Sequence, residues 1–378
     1  MYGSRVLDCK TWTRSLNFSG GPGALPESVL DEAQRAIGEA PGTGQSVLGI
    51  SHRSEWFRDV VAETEDNFRV LLDLPDRYRV LFLQGGGTLQ FSMVPMTLLR
   101  GRKRTAEYLH TGYWSGKAVA EARKEGAVRV AWSGAAEGFT RLPDAGETRF
   151  SGNAAYLHYV SNETVEGLQF DEPQGRDDVP RVCDMSSDFL SRPVDIERFA
   201  LVYAHAQKNL GPAGVTVVVL RDDVLESVPE GLPAMLDYRE HARAGSIYNT
   251  PPLFAIYVTM LVTRWLRDEI GGLDAMAALN SRKAELLYET IDASGGFYRG
   301  HAAPGNRSQM NVVLTLPSEE LERKFLRMAG AAGFYGLAGH RTLGGIRASI
   351  YNAVTVPAVE ALCSFMRFFR DCHAGEAL

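Results

Sequence analysis

Residues 80–99 read VLFLQGGGTLQFSMVPMTLL, and the pattern changes at three consecutive glycines. The apolar run at 80–83 has the length of a buried strand, and the apolar stretch 89–99 has the length of a helix. Residues 84–88 lie between them. The sequence therefore predicts a strand, a glycine loop and a helix, which is the order found in α/β proteins with a mostly parallel sheet.

Further apolar runs of strand length follow, separated by turn-rich or helical stretches; they are residues 155–160, 181–183, 201–204 and 215–220. Four other stretches place apolar side chains at helical spacing or are strongly apolar over the length of a helix; they are residues 26–40, 55–72, 253–267 and 273–294. We therefore expect an α/β fold in which helices flank a mostly parallel sheet.

The length of 378 residues exceeds one ordinary domain and suits two. Residues 268–272 interrupt the helical pattern, and we place a domain boundary there. The prediction is a large domain over residues 26–270 and a smaller C-terminal α/β domain over 271–378. An N-terminal segment, 1–25, is expected to pack with the small domain.

The balance of 40 Lys and Arg against 46 Asp and Glu gives a net charge of -6 and forms no basic block, so nucleic acid is not an expected partner. The longest apolar runs have strand length, and we expect neither a membrane span nor a secretory signal. The four cysteines are scattered without CxxC spacing. We therefore expect no zinc site, no disulfide framework and a cytoplasmic location.

Lys208 stands in HAQKNLGPAG, residues 205–214, directly after one apolar run and before a glycine-rich turn into another. Most lysines are solvated surface charges, and that is the ordinary interpretation of any single one. A lysine held in such a loop can instead be desolvated, which lowers the pKa of its amine and makes it a Schiff-base nucleophile. Lys208 is therefore a candidate catalytic residue.

Three other features are compatible with a cofactor site. Asp184 ends the run 181–183, where a carboxylate could keep a pyridine nitrogen protonated or simply cap a turn. The glycine loop at 85–88 could bind an anion through its amides, although a tight turn explains it equally well. Trp114 could stack on an aromatic cofactor, or be a core or interface tryptophan.

Short motifs carry a resemblance over almost the whole chain. They are NFS at 17–19, GP at 21–22, LP at 25–26, SHR at 51–53, GGG at 85–87, QF at 90–91, GYW at 112–114, NET at 162–164, Asp184 with SS at 186–187, AQKN at 206–209, YNTPP at 248–252, GHR at 339–341 and GGIRAS at 344–349. Each could occur by chance, but in this order they resemble phosphoserine aminotransferase, a pyridoxal-phosphate-dependent family of class-V aminotransferases with fold type I.

The resemblance implies that the large domain binds pyridoxal phosphate. Lys208 would carry the cofactor as a Schiff base, Asp184 would hold the pyridinium, Trp114 would stack on the ring and Thr164 would bond its 3-hydroxyl side. The cofactor phosphate would be held by Gly87, Thr88 and Gln207, together with Asn249 and Thr250 from a second subunit. A homodimer with shared active sites is therefore expected.

The resemblance also implies the substrates. Arg347 is expected to clamp the substrate α-carboxylate, since a guanidinium matches a planar carboxylate with two hydrogen bonds. The cluster His52, Arg53, His340 and Arg341 would bind the distal phosphate or the γ-carboxylate of glutamate. The expected reaction moves the amino group of L-glutamate to 3-phosphohydroxypyruvate and gives O-phospho-L-serine and 2-oxoglutarate, in serine biosynthesis and also at the phosphohydroxythreonine step of pyridoxine biosynthesis.

Two departures from the family pattern concern the expected site. His205 stands where the family usually has a small residue, so it either reshapes the site or packs harmlessly. Thr88 and Leu89 replace an Arg-Gly pair seen in some relatives. The alternatives are an aminotransferase with another acceptor and a non-catalytic cofactor-binding regulator. A cysteine desulfurase would need a nucleophilic cysteine near the substrate, and residues 330–347 contain none.

Overall fold

The structure is a computed structural model that describes residues 16–144 and 146–376. The α-helices are α1 Glu27–Gly38, α2 Glu55–Leu72, α3 Gly86–Leu98, α4 Tyr113–Ala122, α5 Asp222–Glu226, α6 Tyr238–Arg243, α7 Leu253–Arg264, α8 Leu273–Asp292, α9 Glu319–Ala331 and α10 Val356–His373. The strands are β1 Tyr78–Leu83, β2 Thr105–His110, β3 Val128–Ser133, β4 Ala154–Val160, β5 Asn162–Glu163, β6 Leu168–Gln169, β7 Arg181–Asp184, β8 Leu201–His205, β9 Thr216–Arg221, β10 Arg299–Gly300, β11 Asn311–Thr315 and β12 Ile346–Ser349.

Seven strands form the main sheet in the order β1-β9-β8-β7-β4-β2-β3. Strand β9 runs antiparallel to both neighbours, whereas the other adjacent pairs are parallel. Asp184 lies beside Val160 of β4 and Tyr203 of β8 in the ladder. The carboxyl ends of β4, β7 and β8 therefore meet at one edge, which is where parallel α/β sheets bind ligands.

Helices cover both faces of this sheet. Alternate side chains of each strand point to opposite faces, and β8 shows the consequence. Val202 packs in a core with α1, α2 and α7. Tyr203 packs in a second core with α3, α4 and α6. The sheet is therefore buried on both sides, as a parallel sheet requires.

A third core surrounds the antiparallel sheet β10-β11-β12 and helices α8, α9 and α10. Leu16, Phe18 and Ala24 belong to the same core. The amide of Ser349 in β12 also donates to the carbonyl of Phe18 at 3.0 Å. The part of the expected N-terminal segment that the structure describes thus packs against the C-terminal sheet, while residues 1–15 lie outside the described residues. The division into domains stays a prediction.

Most predicted elements are confirmed, with two kinds of difference. The helix at 55–72 has the predicted limits, and the predicted strands agree within one or two residues. The helix predicted over 253–267 is regular to Arg264 and continues as a π-helical turn, Trp265–Glu269. Strands β2 and β3 were not predicted. The helix expected from Leu89 begins at Gly86, because the glycines themselves form its first turn.

Three observations concern ions, thiols and membranes. In the ranges 16–144 and 146–376, no helix is both long and apolar enough to cross a bilayer. The same ranges hold no group of His, Cys, Asp and Glu side chains arranged to bind a metal ion. Cys183, Cys363 and Cys372 are free thiols, and Cys9 lies outside the described residues.

Candidate active site

A cavity lies at the carboxyl ends of β4, β7 and β8. Its walls come from α3, α4, the β5 strand and the loop after β8. The lining residues are Gly87, Thr88, Phe91, Trp114, Val160, Asn162, Thr164, Asp184, Ser186, Ser187, His205 and Lys208. The structure therefore brings together six of the nine predicted cofactor-binding residues: Gly87, Thr88, Trp114, Thr164, Asp184 and Lys208.

Lys208 is 6% exposed and lines this cavity. Its Nζ donates to Thr164 Oγ1 at 2.5 Å and lies 5.8 Å from the centroid of the Trp114 ring. Thr164 Oγ1 in turn lies 3.0 Å from Ser187 Oγ. Burial lowers the pKa of Lys208 to about 8, and the charge of Asp184 opposes that shift. The amine is therefore partly neutral near pH 8 and available as a nucleophile.

Asp184 is buried at the end of β7. Its Oδ1 accepts the backbone N–H of Ser186 at 2.9 Å. Burial raises the pKa of the carboxyl, and the positive charge of Lys208 is the largest opposing effect. The two side chains thus form a buried pair of opposite charge that borders one cavity.

The first turn of α3 offers backbone N–H groups to the same cavity. Its N-cap residue is Gly85, with φ of 91°, and no side chain caps the helix. The first turn holds no acidic residue. A β-carbon at Gly87 would lie 3.5 Å from Ser186 Oγ, so the helix start approaches the β7 loop closely. Uncapped N–H groups and the helix dipole make this end of α3 suited to an anion.

Two buried carboxylates that sequence reasoning missed hold the start of α4. Glu163 Oε2 accepts the N–H of Trp114 at 3.2 Å, and Glu166 Oε1 accepts the N–H of Tyr113 at 2.9 Å. Burial raises the pKa of Glu166 to about 8, and the Glu163 charge adds to the shift. Gly112, the N-cap residue of α4, has no polar side chain to accept the free N–H groups of the first turn. That absence was the signal in the sequence that other acceptors are needed. These carboxylates fix the position of Trp114.

A basic group lies beside this helix start. Arg347 Nη1 donates to the Thr164 carbonyl at 3.4 Å, and its Nε is buried without a hydrogen-bond partner among the described residues. Burial lowers the pKa of Arg347. The His340 ring lies 4.9 Å from the Tyr113 ring, and its pKa is lowered by burial and by the nearby charges of Arg347 and Arg341. The predicted residues Arg347, His340 and Arg341 are therefore neighbours.

The other predicted site residues do not line the Lys208 cavity in this chain. His52 and Thr250 border a different cavity, beside Pro212. Arg53 is exposed. Asn249 is half-buried in the loop before α7, next to Thr250, whose carbonyl accepts from Gln84 Nε2 at 2.9 Å. His52 and Thr250 therefore lie at a different cavity from Lys208.

Gln207 is half-buried and precedes Lys208 in the chain. Its carbonyl accepts the N–H of Gly23 at 2.7 Å. Gln207 is not among the residues that line the Lys208 cavity. This hydrogen bond ties the loop that carries Lys208 to the N-terminal segment.

Comparison with known proteins agrees with this geometry. The model of the class-V aminotransferases matches residues 15–362. The phosphoserine aminotransferase of Geobacillus kaustophilus is 52% identical over 357 residues, covering 94% of this chain and 98% of that protein. The chain belongs to the phosphoserine aminotransferase family. The family member from Laribacter hongkongensis is also 52% identical, over 94% of this chain and 99% of that protein.

Solved structures of phosphoserine aminotransferases have the same fold. The enzyme of Bacillus circulans subsp. alkalophilus superimposes with a TM-score of 0.92 at 47% identity, covering 95% of this chain and 99% of that one. The pyridoxal-phosphate-bound enzyme of Trichomonas vaginalis gives a TM-score of 0.88 at 36% identity, covering 94% of this chain and 100% of that one. The expected fold type I, with its mostly parallel sheet between helices, is confirmed.

Proposed function

We propose that this chain transfers the amino group of L-glutamate to 3-phosphohydroxypyruvate, with O-phospho-L-serine and 2-oxoglutarate as products. The observation that carries the proposal is the buried amine of Lys208 beside the buried carboxylate of Asp184 in one cavity. Relatives named phosphoserine aminotransferase, 47–52% identical over most of the chain, support the same reaction. The same site would also catalyse the related transamination at the phosphohydroxythreonine step of pyridoxine biosynthesis.

The lining of the cavity fits pyridoxal phosphate. It combines an amine, a carboxylate and the flat ring of Trp114 with the N–H groups that begin α3. Two buried nitrogens of lining residues, Trp114 Nε1 and His205 Nε2, have no hydrogen-bond partner within the described part of the chain. Lys208 would hold the cofactor covalently, Thr164 would bond its 3-hydroxyl side, and Gly87 with Thr88 would hold its phosphate.

When bound, pyridoxal phosphate supplies an aldehyde that condenses with amines and a protonated ring that withdraws electrons from the substrate's α-carbon. Asp184 would hold the ring nitrogen, since a buried carboxylate beside it would stabilise the protonated, cationic form. Lys208 Nζ would hold the cofactor and would be the base that moves the proton of the substrate α-carbon. Thr164 would keep Nζ in position, and Trp114 would support the cofactor ring.

Arg347 is proposed to bind the α-carboxylate of both substrates. Its buried Nε lacks a partner among the described residues. The charge of the nearby Glu166 raises the pKa of Arg347 and so favours the charged guanidinium. His340 and Arg341 lie beside it and would meet the group at the far end of the substrate. The γ-carboxylate of glutamate and the phosphate of the acceptor are both anions, so one basic pocket serves both half-reactions.

A second subunit is proposed to complete the site. Asn249, Thr250, His52 and Arg53 lie in loops away from this chain's own Lys208 cavity, although the resemblance gives each a binding role. In a homodimer these loops would reach the partner's cavity, with Asn249 and Thr250 at the cofactor phosphate. Gln207 would assist them from the chain that carries Lys208. A cytoplasmic location, as expected from the cysteines, also stays a proposal.

The division into a large domain at 26–270 and a small domain at 271–378 is likewise proposed. Support comes from the separate core around β10, β11 and β12, which includes α8 and α10. The cores on the two faces of the main sheet contain residues from Val29 to Met276, and one of them includes Ala302.

A donor comparison tests the proposed reaction. Phosphoserine, serine and alanine are offered as amino donors to 2-oxoglutarate, and the glutamate formed is measured by a coupled assay. We expect phosphoserine to exceed serine and alanine in kcat/KM by roughly 100-fold or more, because the basic pocket is built for a distal anion. Equal activity on the three donors would reject a phosphate-selecting site.

A further inference from the structure

His205 is the last residue of β8 and borders the cavity with Thr88, Ser186 and Lys208. Its Nε2 atom is buried and makes no hydrogen bond within residues 16–144 and 146–376. Buried polar nitrogens are almost always paired, so an unpaired one at a ligand cavity indicates a missing partner. No role was assigned to this residue by the motifs that carry the family resemblance.

Ser186 Oγ lies close to the backbone of both His205 and the start of α3. The backbone N–H of His205 donates to Ser186 Oγ at 3.4 Å. A β-carbon at Gly87 would lie 3.5 Å from the same oxygen. His205 also lines the cavity together with Gly87 and Thr88 of that helix start, where uncapped N–H groups of a 13-residue helix favour an anion.

The charges around the ring agree with a neutral donor. Burial lowers the pKa of His205 to about 3, and the nearby charge of Lys208 adds to the shift. The ring is therefore neutral at pH 7 and carries one N–H. Asp184, the acidic residue of the lining, is occupied by the N–H of Ser186 and by the charge of Lys208. A neutral imidazole can bond a phosphate oxygen without adding a buried positive charge.

We propose that His205 Nε2 donates a hydrogen bond to the phosphate group of pyridoxal phosphate, as an additional ligand beside Gly87 and Thr88. The inference rests on the proposed use of this cofactor and deepens it. The buried nitrogen gains its missing acceptor, and the phosphate gains a donor from β8 that faces the helix α3. His205 is then a cofactor-binding residue, not a packing residue.

The test compares two cofactors that differ only in the phosphate. Cofactor-free protein is prepared from the holoenzyme, and the dissociation constants of pyridoxal phosphate and pyridoxal are measured by absorbance. His205→Leu removes the donor at similar size, and His205→Gln restores an N–H near the Nε2 position. We expect leucine to weaken pyridoxal phosphate about tenfold, or ~1.4 kcal/mol, and to leave pyridoxal within about twofold. Glutamine should recover most of the loss.

Two controls separate binding from folding. His301→Leu alters a half-buried histidine that bonds the Phe139 carbonyl at 3.1 Å outside the cavity, and it should change neither constant. His205→Asn keeps an amide but is too short to reach the Nε2 position, so it should behave like leucine. The comparison of Asn with Gln holds even if the leucine variant does not fold.

Three results would overturn the inference: an unchanged affinity of the leucine variant for pyridoxal phosphate, an equal loss for both cofactors, or equal behaviour of Asn and Gln. Each leaves the proposed function intact as long as the wild-type protein binds pyridoxal phosphate. Failure of the wild-type protein to bind it would instead contradict the proposed function itself.

Discussion

Two buried lysines, in different regions of the molecule, show what separates a reactive amine from a structural one. Lys208, at the edge of the main sheet, is 6% exposed, and Lys283, in α8, is 1% exposed. Burial lowers the pKa of Lys208 to about 8 and that of Lys283 to about 7. By burial and pKa alone, Lys283 would be the better candidate for a nucleophile.

The partners of the two amines decide the matter. Lys283 Nζ donates to the carbonyls of Ile350 and Tyr351 at 2.9 and 2.8 Å, and it lines none of the described cavities near the site. Lys208 Nζ bonds one hydroxyl, that of Thr164, and faces a cavity with a carboxylate. Two carbonyls hold an amine in place, whereas one exchangeable hydroxyl leaves it free to react. An altered pKa therefore marks a functional lysine only together with access and a suitable partner.

The largest expected effect separates the two lysines by activity. Lys208→Ala should lower kcat by roughly 10³-fold or more, because both the covalent attachment and the proton transfer are lost. Lys283→Met should keep kcat within roughly tenfold, since Lys283 lies away from the cavity. Steady-state rates with glutamate and the phosphorylated acceptor measure both. A comparable loss of kcat in the two variants would contradict the claim that Lys208 is catalytic and Lys283 structural.

Asp184→Asn tests the carboxylate that distinguishes the Lys208 region. We expect kcat to fall by roughly 100-fold, because the amide cannot hold the ring nitrogen in its protonated form. The pKa of Lys208 should fall further below its usual range, since the Asp184 charge raises it. The pH dependence of reductive methylation of Lys208 in cofactor-free protein measures that shift. A higher pKa in the variant would contradict the assigned pairing.

Lys283→Met tests the structural role by stability. Removing the amine leaves the two carbonyls of Ile350 and Tyr351 without this donor, at a cost of about 2 kcal/mol in the free energy of unfolding. Urea unfolding at pH 9 of cofactor-free wild-type and variant proteins measures the difference. Lys208→Ala serves as the matched control and should lose less stability. A fully stable Lys283→Met protein would show that the two hydrogen bonds contribute nothing.

The smallest effect concerns pH. The folded-state pKa of Lys283, about 7, lies below its ordinary value of 10.5, so between these values the unfolded chain binds more protons. Stability from this residue therefore rises with pH across that window and is flat below pH 7. We expect the difference between wild type and Lys283→Met to grow by at most about 1.4 kcal/mol per pH unit. A difference that shrinks with rising pH would contradict the lowered pKa.

The sequence predicted best those elements that show both a regular spacing of apolar residues and a residue that marks where the element begins or ends. Helix α2 shows apolar residues at helical spacing, and Ser54 Oγ caps it by accepting the Phe57 N–H at 3.2 Å. Strands β2 and β3 were missed because each carries a charged residue, which is not typical of a buried strand, and these two charges pair with each other. Glu107 of β2 is fully buried and bonds Arg129 of β3 at 2.6 Å. A single strand cannot show that its charged residue has a partner in a neighbouring strand.

The candidate site divides in the same way. The proximity of Lys208, Asp184 and Thr164 follows from strand ends that meet at one edge of a parallel sheet. The role of Glu166 was missed, because an uncapped helix start at Tyr113 signals that an acceptor is needed but not that a residue 53 positions away supplies it. The proposed dimer explains why His52 and Thr250 lie away from Lys208 of the same chain. Contacts between subunits leave no pattern in a single sequence from which they could be predicted.

Reduction of the holoenzyme with borohydride, followed by peptide mapping, tests the central claim about Lys208 most directly. The account predicts one phosphopyridoxyl group per chain, on the Nζ of Lys208, and no label in the Lys208→Ala protein. A label on Lys283 or another amine, or a label that persists in the Lys208→Ala protein, would contradict it.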